Sequence, residues 1–148
     1  RGDPQGFVRV LSDTQLWIPE RPGNKLADSL LNIIQTGRVG LLFLIAGIGD
    51  TFRVNGRAEL SRDPELLRGS ALEGKTPILG IVVDIEEAFL QCPKAIIRSG
   101  LWRVETFQER SSLPTAGELL KENLGDDFDS QAFDEERAER YRRREGMY

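Results

Sequence analysis

The chain has 148 residues, 24 acidic and 20 basic, a net charge of −4, one cysteine and no histidine. That length supports one domain with a real core, and the charge balance argues against bulk nucleic-acid binding. The lone Cys92 excludes an internal disulfide framework and a multi-cysteine zinc site, and the lack of histidine excludes Ser-His-Asp and Cys-His catalysis, histidine-ligated metals and histidine bases. An enzyme with this composition works with carboxylates, Lys, Arg, Tyr, Cys or a borrowed cofactor. The longest apolar run, Val39 to Ile48, is half the ~20 residues a membrane helix needs. No membrane segment is expected, and a reducing cytoplasm is the expected compartment.

The first residue is Arg1, which suggests a processed or truncated chain. Arg1 to Gly6 is turn-rich. Phe7 to Leu11 and Gln15 to Pro19 flank the turn Ser12-Asp13-Thr14 and predict a β-hairpin. Arg21-Pro22-Gly23-Asn24-Lys25 follows, a basic turn opening a helix. Unpaired N–H groups and the macrodipole at a helix start favour an anion, with Arg21 and Lys25 adding charge and Asn24 capping. The alternative is an ordinary strand-to-helix loop with solvated charges. Leu26, Leu30, Ile33 and Ile34 predict one apolar stripe on a helix from Asn24 to Thr36, ended by Gly37. Arg38 to Ala46 reads as a strand covered on both faces.

Gly47 to Asp50 is a tight turn into a strand from Thr51 to Leu60. Phe52, Val54, Ala58 and Leu60 share one face, and Arg53, Asn55, Arg57 and Glu59 the other. Asn55 and Arg57 are read as exposed surface. Asp63 and Pro64 start a short helix. Ile78 to Leu90 is a long strand, with Leu79, Ile81, Val83 and Ile85 on one face. A helical turn follows Pro93. Glu118 to Tyr148 holds ten acidic and six basic residues. Leu113 to Leu120 predicts a short helix, Gly125 to Ser130 a loose link, and Asp134 to Arg144 a charged helix. Together these predict an α+β protein, a small, mostly antiparallel β-barrel with short helices and a charged helical tail. Apolar residues on the outer strand faces call for a homodimer packing barrel on barrel.

The ordered set Arg21-Pro22-Gly23-Asn24-Lys25, Asp28-Ser29-Leu30, Gly37 to Phe43 and Arg53 to Ala58 resembles a bacterial subgroup of the pyridoxamine 5′-phosphate oxidase-like, FMN-binding split barrels. Glu86 to Phe89, Cys92 to Ala95, Arg98 to Trp102 and the tail near Arg140-Tyr141-Arg142 continue the resemblance. The subgroup normally begins earlier, so the chain is read as N-terminally incomplete. Residues 1–103 are then the split-barrel domain and 104–148 a charged, partly helical extension.

The resemblance implies a homodimer with FMN at its interface. Carried onto matching positions, Arg21, Asn24, Lys25 and Ser29 grip the phosphate, with Arg1 as a further basic contact. Lys94, Arg98, Ser99 and Trp102 approach the flavin or the partner subunit. For Trp102, stacking on the flavin and core packing both stand. Cys92 is read as a buried, small apolar residue rather than a redox centre. The resemblance implies hydride transfer between a small, unidentified substrate and FMN, with no catalytic residue assigned. Oxidases acting on pyridoxamine 5′-phosphate use an Arg-x-His motif, which a histidine-free chain lacks, so that substrate is not carried over. The competing readings are a flavin-binding carrier or sensor without turnover, and a deazaflavin-dependent or haem-degrading relative on the same fold.

Overall fold

The computed structural model describes residues 2–23 and 26–146. Five strands form one sheet: β1 (Arg9–Ser12), β2 (Gln15–Pro19), β3 (Arg38–Phe43), β4 (Thr51–Ser61) and β5 (Gly80–Gln91). Their order is β1-β2-β5-β4-β3, and every pairing is antiparallel. The architecture is α+β, as the pattern of elements predicts. The sheet is open, with β1 and β3 as its edges.

The core lies on one face. Leu16 and Ile18 from β2, Ile81 and Val83 from β5, and Val54 and Ala58 from β4 are buried there. Their period-2 spacing is the sequence signal that places them together. Helix α1 (Asp28–Thr36) covers this face with Ile33, and Leu30 packs beside it. The helix starts at Asp28, four residues later than the apolar stripe predicts, with Ala27 at the cap position and no side-chain cap bond. Leu26 and Ile34 are exposed, so only the middle of the stripe has a core to meet. The predicted cap Asn24 lies outside the described residues. Gly37 ends α1 at φ 63°, where its N–H donates to the Ile33 carbonyl. Its own carbonyl accepts from the Ala58 N–H at 3.0 Å, which feeds the chain directly into β3.

The opposite face is covered at one end only. Trp17 is fully buried there, and its indole N–H donates to Ser70 Oγ at 2.8 Å. The Ser70 hydroxyl in turn donates to the Leu66 carbonyl. Leu66 belongs to α2 (Pro64–Arg68), whose cap Asp63 accepts from the Glu65 and Leu66 N–H groups. Toward the other end, β3 alternates half-buried and exposed, and Leu42, Leu44 and Ile45 are exposed. The expectation that this strand is covered on both faces is therefore not met among the described residues of the first unit: as an edge strand it has α1 on one side and an exposed face on the other.

β5 runs antiparallel to β4 with a bulge, since Asn55 pairs with Glu87 but Gly56 with Ile85. The extra residue, Glu86, brings the Asp84 carbonyl so close that a Cβ on Gly56 would sit 2.1 Å from it. After β5, Pro93 leads into α3 (Lys94–Ser99), and Gly100 ends it at φ 65°.

These elements form one compact unit, up to Trp102; a second begins at Arg103. The second holds two 3₁₀ turns, α4 (Ala116–Leu124) and α5 (Ser130–Arg142). Thr115 and Glu118 form a capping box on α4, and Asp129 caps α5. In the link between α4 and α5, the Phe128 ring lies 5.7 Å from the Phe133 ring of α5. Among the described residues no helix is long and apolar enough to cross a membrane.

Candidate functional site

β2 ends at Pro19, and the next residue, Glu20, donates its N–H to the Leu79 carbonyl at 3.0 Å. This bond holds the start of the basic turn beside the start of β5. From there Arg21 turns inward. Its Nε donates to Asp3 Oδ2 at 2.6 Å, and the two side chains are 13% and 6% exposed. A charge pair this deeply buried holds both partners in place, and removing one strands the other at a cost of about 3 kcal/mol.

Two cavities open around this pair. The larger, of about 580 Å³, is lined by the charged residues Glu20, Arg21 and Lys75 together with Pro22, Leu72, Thr76, Pro77 and Ile78, and most of its exposed wall is apolar. One wall is a tight hairpin in which Leu72 and Lys75 exchange backbone hydrogen bonds of 2.9 and 3.0 Å. Glu73 and Gly74 sit at its tip at φ 49° and 77°, the left-handed pair a two-residue hairpin turn requires. The smaller cavity, of about 170 Å³, is lined by Asp3, Phe7, Arg9, Arg21, Gly69 and Ser70 among others. Arg21 and Leu72 line both. An apolar cavity with a guanidinium at its edge suits a flat aromatic ligand that carries an anionic end.

The other residues singled out from the sequence fall elsewhere. Arg1, Asn24 and Lys25 lie outside the described residues. Ser29 is exposed in the first turn of α1. Lys94, Arg98 and Ser99 are exposed on α3, and the Ser99 hydroxyl donates to the Ile96 carbonyl at 3.1 Å. Trp102 is half-buried, and its indole N–H donates to the Ile48 carbonyl at 2.8 Å. A Cβ on Gly49 would touch Pro93 at 2.8 Å. Both contacts dock the α3 segment on the β3–β4 turn.

Arg21 stands at the start of β5 and α3 follows its end. The twelve residues between span about 35 Å of extended strand. Within one chain Arg21 and the Lys94–Trp102 group are therefore not brought together.

Cys92 is exposed, which corrects its reading as a buried apolar residue: β5 has run beyond the covered part of the sheet by then. Arg57 is exposed as read, while Asn55 is half-buried, its amide donating to Glu87 Oε2 at 2.8 Å. Asp3 and Arg9 were missed. Asp3 reads as part of a turn, and pairing with Arg21 across eighteen residues leaves no local signal. Arg9 did leave one, as a lone charge inside the apolar run Phe7 to Leu11.

A family model described as pyridoxamine 5′-phosphate oxidase matches residues 1–92. No curated protein matches the chain. Two crystal structures of tagged Group A Streptococcus HupZ are similar to part of it. The first, at 1.70 Å resolution, has a TM-score of 0.49 at 16% identity and covers 58% of this chain and 70% of that one. The second, a histidine-to-alanine variant at 1.98 Å, has a TM-score of 0.48 at 16% identity and covers 57% and 73%.

Proposed function

The chain belongs to the pyridoxamine 5′-phosphate oxidase family, and from that premise we propose that it is an FMN-binding oxidoreductase acting as a homodimer on a small molecule. The observation that carries the reading is the apolar cavity of about 580 Å³ with Arg21 in its wall. Its Pro22, Leu72, Pro77 and Ile78 side suits an aromatic ring, and its Arg21 side suits a phosphate. Bound FMN would supply the hydride chemistry, which side chains do not provide.

The chain's own residues then bind and orient. Asp3 holds the Arg21 side chain through its Nε, so a ligand that takes a further guanidinium N–H costs little rotamer freedom. Lys25, Asn24, Ser29 and Arg1 are proposed to complete the phosphate grip. Lys94, Arg98, Ser99 and Trp102 stand a strand's length away, so they reach the same flavin only from a second copy. The site is then shared, with residues 1–103 as the flavin domain and 104–148 as an extension.

The test is an absorbance spectrum of purified protein, with the released cofactor identified by mass. The expected result is an oxidised-flavin spectrum and one FMN per subunit. Lys25→Ala and Arg21→Met are each expected to weaken FMN binding about tenfold or more, the scale of one charge-assisted hydrogen bond to phosphate. A colourless protein that takes up no added FMN overturns the reading. A deazaflavin or haem spectrum would turn it toward the deazaflavin-dependent or haem-degrading alternative.

A further inference from the structure

We infer that residues 2–6 form a strap, latched by Asp3 onto Arg21, and that the latch sets how firmly the larger cavity holds an anionic ligand. Gly2, Pro4, Gln5 and Gly6 are exposed, whereas the Asp3 side chain among them is 6% exposed. What this segment buries is therefore a carboxylate and not an apolar side chain. The next residue, Phe7, does pack against the core, and it is the anchored end of the strap. Gly6 stands between the two at φ 88°, a conformation open to glycine without the cost of a Cβ, and glycine is also free to leave it. Residues 3–7 and residues 69–72 line the same cavity of about 170 Å³. The strap thus borders open space. A segment with little apolar packing and one strong tie is one that opens locally while the core stays folded.

Arg21 gives the latch its consequence. A guanidinium that is 13% exposed needs a counter-ion, and Asp3 supplies it by accepting from Nε. The same Arg21 lines the larger cavity. With the strap closed, the side chain is fixed before a ligand arrives. With the strap open, it is free to move, and a ligand must first order it. Strap closure and anion binding in the larger cavity therefore favour each other. The coupling is reciprocal, so what the strap adds to ligand affinity the ligand adds to strap closure. That the ligand is FMN rests on the reading above; the latch itself does not.

The experiment measures backbone amide order parameters by NMR on the full chain, for wild type and Asp3→Asn, and the affinity of each for FMN and riboflavin. Without ligand, the amides of residues 3, 5 and 6 are expected near the rigid value of about 0.85 in wild type and below about 0.6 in Asp3→Asn. Val54 and Val83, in the core, are expected to stay rigid in both. Asp3→Asn is expected to bind FMN about fivefold or more weakly than wild type, and riboflavin, which offers Arg21 no phosphate, equally well. Strap amides that are mobile in wild type, or equally rigid in a folded Asp3→Asn, overturn the latch. FMN held as tightly by Asp3→Asn as by wild type, or more tightly, overturns the coupling. A strap that loosens in Asp3→Asn while wild type takes up no FMN keeps the latch and removes the FMN reading. Should Asp3→Asn fail to fold, Asp3→Ala combined with Arg21→Met leaves no stranded charge, and a rigid strap in that variant overturns the latch instead.

Discussion

Gly80 has no side chain because the Trp17 ring occupies the space, and a Cβ there would lie 2.2 Å from the indole. Gly80→Ala is therefore expected to push the indole off Ser70. Overpacking of this kind costs about 1–3 kcal/mol. The check is urea unfolding, read together with a red shift of tryptophan emission as the ring gains solvent. The Asp3–Arg21 pair makes the second residue-scale prediction. Asp3→Ala strands a guanidinium that is 13% exposed and is expected to lower stability by about 3 kcal/mol.

Among the elements, a carboxylate on α5 ties it to the start of α4. Asp134 accepts from the Gly117 N–H at 3.0 Å, and a Cβ on Gly117 would collide with the Ser130 carbonyl at 2.3 Å. The Asp134 carboxyl is held below its ordinary value of 3.8, chiefly by the Thr115 hydroxyl, against partial desolvation and helped by Gly117, Arg137 and Arg110. A carboxylate with a depressed folded pKa contributes stability above its unfolded value and loses it as pH falls through the folded one. The contact is therefore expected to hold above 3.8 and to weaken below it. The Gly117 amide shift, followed by NMR from about pH 5 to about pH 2, is expected to report that loss. Asp134→Asn is expected to flatten the profile.

For the whole molecule, the unanswered feature of the single chain is apolar surface at one end of the sheet. Phe43 and Phe52 pair across β3 and β4 with centroids 6.2 Å apart, and Leu90 stands opposite Phe52 on β5, 69% exposed. A proposed homodimer would cover this end and bring a second α3 toward Arg21. Leu90→Glu places a charge in that contact and is expected to shift the protein toward monomer in analytical ultracentrifugation. FMN uptake would fall with it if the site is shared.

Much of this was legible from residue order. Period-2 alternation placed Val54, Ala58, Ile81 and Val83 in the core, and Asp63-Pro64 marked a helix start that the cap bonds match. These follow from local rules, because a strand side chain's face and a cap's partner are decided within a few residues. The basic turn was legible as an anion candidate for the same reason. Which acidic group would neutralise Arg21 was not, because Asp3 meets it only once β1 and β2 have paired and the N-terminal turn folds back. The edge position of β3, the open sheet, and the burial of Arg9 NH1 against Gly69 were equally out of reach. Sequence alone determined which residues alternate, cap and turn. Tertiary structure decided which charges are paired and which face the cavities, because burial and long-range partners depend on strand order.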